Sequence, residues 1–382
     1  MNIIIYNPNS RGGNFNYALR LSEAYKSKKE VKQIILVLPC NAKIPSSSEA
    51  RKILLSDQPL FSNFFFSKLY FLYRTFVNPL IFFLFLKKKQ GYVIFNDFDQ
   101  VSSYLWVPLY RRLKPKLVFS AVLHDPDRDQ YFRNLRLSIA TMRSVMSIMD
   151  IAFYHEILPV KPYYNSNLQT VFVPVPHGLY DLKVPEEKDR TLQKELETFK
   201  GKEFKLIGAL GNIRHEKNYK LIIQVLKEVS GVKLFIGGLP ANTSVNMMEL
   251  EQLIENDSLT DRVLILPKYL DDAELRTIAS VCDAFILYYS NTFKSQSGIL
   301  NLLAAFKKTL LVSSNDSPLS KLVKRFNLGL MAKPDRKTEL KDMLCKFAEN
   351  EIPEADWQGY FAYASWANHV NMAIHAFKEL RP

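Results

Sequence analysis

Two cations three residues apart, Arg214 and Lys217, sit in the stretch "GALGNIRHEKN" (208–218). An apolar run that reads as a strand precedes them, and a helical pattern follows. A guanidinium, an ammonium and nearby helix amides make a good seat for a diphosphate. Gly211 closes the strand. A solvated basic loop ahead of an ordinary helix would carry the same residues. The second stretch is "YYSNTFKSQSGILNLLAAFKK" (288–308), where Tyr289 ends an apolar run and Lys294 leads to Ser297 and Gly298 at a helix start. Ser297 can cap that helix or donate a hydrogen bond to a ligand, and Gly298 lets a phosphate approach the backbone. Alone, Ser297 reads as a plain N-cap. Together, the two turns can converge on one pyrophosphate, and the pairing carries more weight than either member.

The first half of the chain offers looser candidates. "VLHDPDRDQ" (122–130) places His124 and Asp125 at a strand end, and "VPHGLY" places His177 beside Gly178. "NPNSRGGN" (7–14) puts the flexible pair Gly12 and Gly13 after the first strand. The spacing of dinucleotide folds and the Gly-Lys-Ser/Thr of P-loops are both missing, so neither NAD nor ATP chemistry is supported.

These residues need strands to hold them. Short β-branched runs alternate with amphipathic stretches, which predicts parallel α/β architecture with ligands at the carboxyl ends of the strands. Six runs lie in the first half, from "NIIIYNP" to "TVFVPVPHG". The series restarts with "KLIGALGN" and gives six more, ending at "LGLMAK". Between them "DLKVPEEKDRTLQKELETFKGKEF" turns charged. The expected division is residues 1–180 as one domain, 181–204 as a linker, 205–360 as a second domain and 361–382 as a helical tail.

The chain has 382 residues, 47% of them apolar, which excludes general disorder and favours two domains. Against 38 acids stand 51 basic residues, net +13, so anionic partners are expected. Three scattered cysteines suggest a reducing compartment, and the uncharged start does not read as a signal peptide, so a cytoplasmic location is expected. One basic, aromatic stretch, residues 59–89, ends in Lys87, Lys88 and Lys89. Its longest charge-free run, Thr75 to Leu86, falls short of the roughly 18 apolar residues of a span. Peripheral contact with an anionic membrane surface is expected there, with a buried helix pair as the plainer alternative.

Taken together, "GNIRHEKNYKLII", "DAFILYYSNTFKSQSGILNLLAAFKKTLLVSS", "HDP" at His124 and "SW" at Ser365-Trp366 resemble the GT-B glycosyltransferases of the family 4 type. The match is specific over about 205–370 and looser before it. The resemblance implies two Rossmann-like α/β domains facing across a cleft and sugar transfer from a nucleotide sugar, UDP-sugar favoured over GDP-sugar. It also implies a lipid-linked or oligosaccharide acceptor at the cytosolic membrane face, retention of anomeric configuration and no metal or other cofactor. Arg214 and Lys217 would hold the diphosphate, His124 would contact the donor sugar, with Asp125 a weaker candidate, and the tail helix would cross back to the first domain. Two departures stand out. Lys294 and Leu302 fall where the family has two glutamates, and Lys307-Lys308-Thr309 replaces a Gly-x-Pro turn. A non-catalytic partner subunit of the same fold and a sugar-nucleotide epimerase are the alternatives; nucleic-acid binding ranks last, since no such module is present.

Overall fold

The computed structural model describes residues 1–44, 49–58, 63–124, 134–180, 189–241, 245–294 and 297–380. The chain divides into two compact units, one of residues 1–178 with 364–382, the other of residues 179–363.

Unit 1 is built on seven parallel strands: β1 Asn2–Tyr6, β2 Gln33–Pro39, β3 Ala50–Leu54, β4 Gly91–Phe95, β5 Leu117–Leu123, β6 Ile151–Tyr154 and β7 Val171–Pro174. Their order is β3-β2-β1-β4-β5-β6-β7. Its helices are α1 Gly13–Lys26, α2 Phe64–Leu86, α3 Ser103–Arg111 and α4 Leu135–Met146. Alternation in the strands separates two cores. Ile4 and Tyr6 of β1 face one side, with Phe82 and Leu86 of α2, Trp106 and Tyr110 of α3 and Met142 of α4. Ile3 and Ile5 face the other, with Tyr17 and Leu21 of α1. The chain's last helix, Trp366–Leu380, adds Val370, Ala373, Ile374 and Phe377 to this second core.

Unit 2 opens with α5 Arg190–Lys200, which lies inside the stretch expected to be a linker. Asp189 caps it, and its Leu192 and Leu196, four apart on one face, are buried. Six parallel strands follow: β8 Lys205–Leu210, β9 Val232–Gly237, β10 Val263–Leu266, β11 Ala284–Leu287, β12 Thr309–Ser313 and β13 Gly329–Ala332, in the order β10-β9-β8-β11-β12-β13. Between and after them lie α6 Tyr219–Leu226, α7 Met247–Asn256, α8 Asp272–Val281, α9 Gly298–Leu303, α10 Pro318–Arg325, α11 Lys337–Ala348 and α12 Trp357–Tyr363; Trp366–Leu380 of unit 1 is α13. In both sheets the order runs outward from a first strand and then reverses, which puts a switch point beside β1 and β8.

Two features depart from the sequence expectation. Strand β3, "ARKIL", carries exposed Arg51 and Lys52 and is an edge strand, where charge is ordinary. Residues 64–86 form one helix that runs through Pro79. A proline there removes the donor for the carbonyl of Thr75; the Ser102 hydroxyl donates to that oxygen instead, at 2.7 Å. Among the described residues, Phe65–Leu86 is the one helix long and apolar enough to cross a membrane by length and composition, with mean hydropathy 1.6.

Candidate functional site

In unit 2 the candidates gather where the chain leaves β8 and β11. Gly211 follows β8 with φ +87°, a conformation that side chains other than glycine rarely take. A Cβ built on it would lie 2.8 Å from Cδ1 of Ile299 and 3.4 Å from Nζ of Lys217. So the turn after β8 and the first residues of α9 are in contact, with the Lys217 ammonium beside them. Residues His215–Lys217 form a single 3₁₀ turn, and Asn218 in the left-handed region redirects the chain into α6. The backbone N–H of Ser290, just past β11, donates to the Glu216 carbonyl at 2.8 Å, tying the second loop to the first.

The charges on this turn are unequal. The Arg214 guanidinium is exposed and reaches Glu216 Oε1 at 3.5 Å. Lys217 is half-buried; its ammonium donates to the Leu210 carbonyl at 2.6 Å and sits 6.0 Å from the Tyr219 ring centroid. Burial, and then the Arg214 charge, push its pKa down from 10.5 to about 7, partly offset by Glu216. An ammonium partly withdrawn from water without a carboxylate on it gains when an anion arrives.

Tyr289 stacks on Phe293, ring centroids 4.0 Å apart. Its hydroxyl lies 3.3 Å from the Ser297 hydroxyl; burial raises its pKa, partly offset by that hydrogen bond and then by the Arg214 charge. Ser297 is buried and occupies the N-cap position of α9, yet its side chain makes no capping bond there; it faces Tyr289. Gly298 is exposed, and a Cβ there would meet no atom within 4 Å, so the space before its backbone is open. Lys294 is half-buried in the same loop. Helix α9 itself is six residues long, so the charge in this region comes from Arg214 and Lys217 more than from the helix end.

In unit 1, His124 follows β5 directly. Its Nε2 lies 3.1 Å from Oδ1 of Asn96, which can only accept, so the hydrogen bonding assigns the proton to Nε2. Asn96, at the end of β4, donates in turn to the Asn14 carbonyl and to Asn7 Oδ1. Gly12 (φ +84°) and Gly13 open α1, each with clear space where a Cβ would stand. His177 follows β7. Asp125 lies outside the described residues.

A cluster that the sequence reading did not assemble surrounds these residues. The Tyr17 ring contacts His124, His155, His177, Trp366 and His369, with centroids 4.5 to 6.0 Å apart. His155 follows β6, and its Nδ1 lies 2.9 Å from the Val175 carbonyl; His369 Nδ1 donates to the Pro176 carbonyl at 2.7 Å. Burial pushes the pKa of His155 down to about 4 and that of His369 to about 3, so both are neutral at pH 7. The signal was present: His155 ends the run "DIAFYH" and Asn96 ends "YVIFN", both strand ends of the kind that carry ligands. Among the described residues no group of three His, Cys, Asp or Glu is placed to hold a metal ion.

Residues 191–363 match the family model described as glycosyl transferases group 1. Of the curated proteins, none matches the chain. Solved structures similar in fold include HepE from Anabaena in complex with UDP, 13% identical, covering 100% of this chain and 99% of its own, TM-score 0.67. Sucrose-phosphate synthase from Thermosynechococcus elongatus is 12% identical, covering 99% and 98%, TM-score 0.67. The lipopolysaccharide outer core galactosyltransferase WaaB is 13% identical, covering 100% of both chains, TM-score 0.65. At these identities the likeness is one of fold.

Proposed function

We propose that this chain is a GT-B glycosyltransferase, since residues 191–363 match the model described as glycosyl transferases group 1 and the fold is shared with solved glycosyltransferases, and that it moves a hexose from a UDP-sugar to a lipid-linked saccharide. The observation that carries the donor half is the turn after β8. There the Arg214 guanidinium and the poorly hydrated Lys217 ammonium stand together, beside Gly211 and the start of α9. As the glycosidic bond to the diphosphate breaks, negative charge grows on the leaving phosphate oxygens. Fixed cations already in place stabilise that charge without reorganising, an effect worth on the order of 10² to 10³ in rate per donor. Lys217 gains a further advantage, since a diphosphate restores the charge partner that its site lacks. Ser297 and the Gly298 amide would donate to the same oxygens, Tyr289 and Lys294 would line the donor, and His124, held by Asn96, would orient the sugar.

UDP as the nucleotide is supported by the fold shared with HepE, which was solved with UDP bound. A lipid-linked acceptor is supported by the basic, aromatic stretch 59–89 and by the galactosyltransferase likeness. Transfer with retention, independence from metal and a peripheral cytoplasmic location belong to the same proposal. Calorimetric titration with UDP tests it. The native chain should bind, and Arg214→Ala should weaken binding by roughly tenfold or more, the loss of one charge-assisted contact. Affinity indifferent to Arg214 would remove the diphosphate from this turn. A non-catalytic subunit of the same fold would bind UDP but leave UDP-sugars unhydrolysed and untransferred.

A further inference from the structure

Helix α2 is attached to unit 1 along one side only. Its inner stripe holds Arg74, Thr75, Asn78, Phe82 and Leu86, all buried. The Arg74 guanidinium donates to the Pro8 carbonyl, the Leu55 N–H donates to Asn78 Oδ1 at 2.8 Å, and the Tyr110 hydroxyl donates to the Pro79 carbonyl at 2.7 Å. The outer stripe is mostly apolar, with one exposed cation, Lys68, near its start. Phe65, Leu69, Leu72, Tyr73, Leu80 and Leu84 recur at helical spacing, with Phe65 68% exposed at one end and Leu84 62% at the other. A 23-residue helix is ~35 Å long, so this is an extended apolar strip and not a scattered residue. Helix α3, packed beside α2 in the same core, turns Tyr104 and Leu105 outward, and α4 adds Leu135 and Leu137.

Charge on this layer has one sign. Helices α2, α3 and α4 contain no acidic residue, and none occurs between Asp57 and Asp97. Basic residues follow the helix ends: Lys87 and Lys88 after α2, Arg111 and Arg112 at the end of α3, all exposed. Lys87, Lys88 and Lys89 join Lys116 around a groove of about 390 Å³ at the amino ends of β1 and β2.

We infer that the outer surface of the α2–α3–α4 layer is a bilayer-docking face, with α2 lying in the plane of the headgroups. The inference rests on the proposed membrane-borne acceptor, and it names the surface and the mode of contact. An apolar strip with cations at its ends matches anionic lipid: the strip enters the acyl boundary while the lysines and arginines stay among phosphates. A second copy is a poorer occupant, because two such faces would set cation against cation across three helices that contain no acid. Spanning is poorer still. It would strip α2 from the Pro8, Asn78, Thr75 and Pro79 bonds and leave those polar groups in hydrocarbon.

The experiment is flotation of the full chain with phosphatidylcholine vesicles, with and without phosphatidylglycerol, beside UDP calorimetry on the same samples. The parent should float with the anionic vesicles and keep part of that binding in high salt, since insertion is not screened. Replacing three exposed leucines (L69Q, L72Q and L84Q together) should lower partitioning roughly tenfold for each side chain withdrawn. Replacing Lys87, Lys88 and Lys89 by Gln should lower it about fivefold for each lysine, on the anionic vesicles only. UDP affinity should be unchanged in both variants, which also shows that they fold. Partitioning unaffected by the leucine changes would overturn the inference. So would parent protein that stays with membranes through alkaline carbonate, which means spanning, or leucine-dependent dimers in vesicle-free buffer with no vesicle binding. Vesicle binding without UDP binding would instead sink the donor reading and leave this face standing.

Discussion

Lys217→Met should make the ligand-free protein more stable while weakening its hold on UDP. The ammonium's pKa falls from 10.5 to about 7. Taken whole, that difference corresponds to ~5 kcal/mol against the charged form at low pH. Lys217 is half-buried, and water still reaches the site, so ~2–3 kcal/mol is the reasonable share. Losing the bond to the Leu210 carbonyl returns ~1 kcal/mol of that. The net gain is ~1–2 kcal/mol near pH 6. Its sign with pH follows from linkage: the penalty is fully present below the folded-state pKa of about 7 and fades as pH rises toward 10.5. Chemical denaturation at pH 6 and pH 9 should therefore show a larger gain at pH 6. Calorimetry should show UDP binding weakened about ten- to a hundredfold. In the parent, binding near pH 8 should take up protons, detectable as a buffer-dependent heat, because the diphosphate recharges the amine. A variant less stable at both pH values, with unchanged UDP affinity, would refute the account of Lys217 as an unrepaid cation.

Gly178→Ala should destabilise the protein by ~2–4 kcal/mol in urea titration, because φ is +87° and the new Cβ would stand 2.5 Å from the Trp366 ring. Gly12→Ala, with φ +84° and no atom within 4 Å, should cost only ~1 kcal/mol and serves as the comparison. His155 and His369 have folded pKa values of about 4 and about 3 against an ordinary 6.5. The stability they protect is whole above pH 6.5 and declines as pH falls toward their folded values, by up to ~1.4 kcal/mol per pH unit for each; denaturation midpoints at pH 7, 6, 5 and 4 check this.

Fold class was legible because twelve of the strands announce themselves as β-branched runs between helical patterns; β3 escaped because the consecutive charges Arg51 and Lys52 break its apolar run. The turn after β8 was legible because Arg214, Lys217 and Gly211 are adjacent in sequence as well as in space. Its contact with Ile299 was expected only as a pairing of two loops, and no spacing rule could supply it. The cluster around Tyr17 was not legible as a group: its members come from α1, three strand ends and α13, and only tertiary folding collects them. Helix α2 was obscured by Pro79, since local rules break a helix there and cannot foresee a hydroxyl from Ser102. Nor could the Ser297 side chain be placed, as its choice between capping and Tyr289 depends on a ring eight residues away.

The membership of α13 in the first unit carries a consequence for how the protein is made. Val370, Ala373, Ile374 and Phe377 complete a core that also contains Ile3, Ile5 and Leu36. On the ribosome, β1 must wait until α13, Trp366–Leu380, has emerged before that side of its sheet is sealed. The later-synthesised unit, by contrast, has its whole sheet, β8 to β13, in hand before α13 emerges. Premature termination before Trp366 would thus release a chain in which β1 and β2, made long before the lesion, are the segments left with an uncovered face.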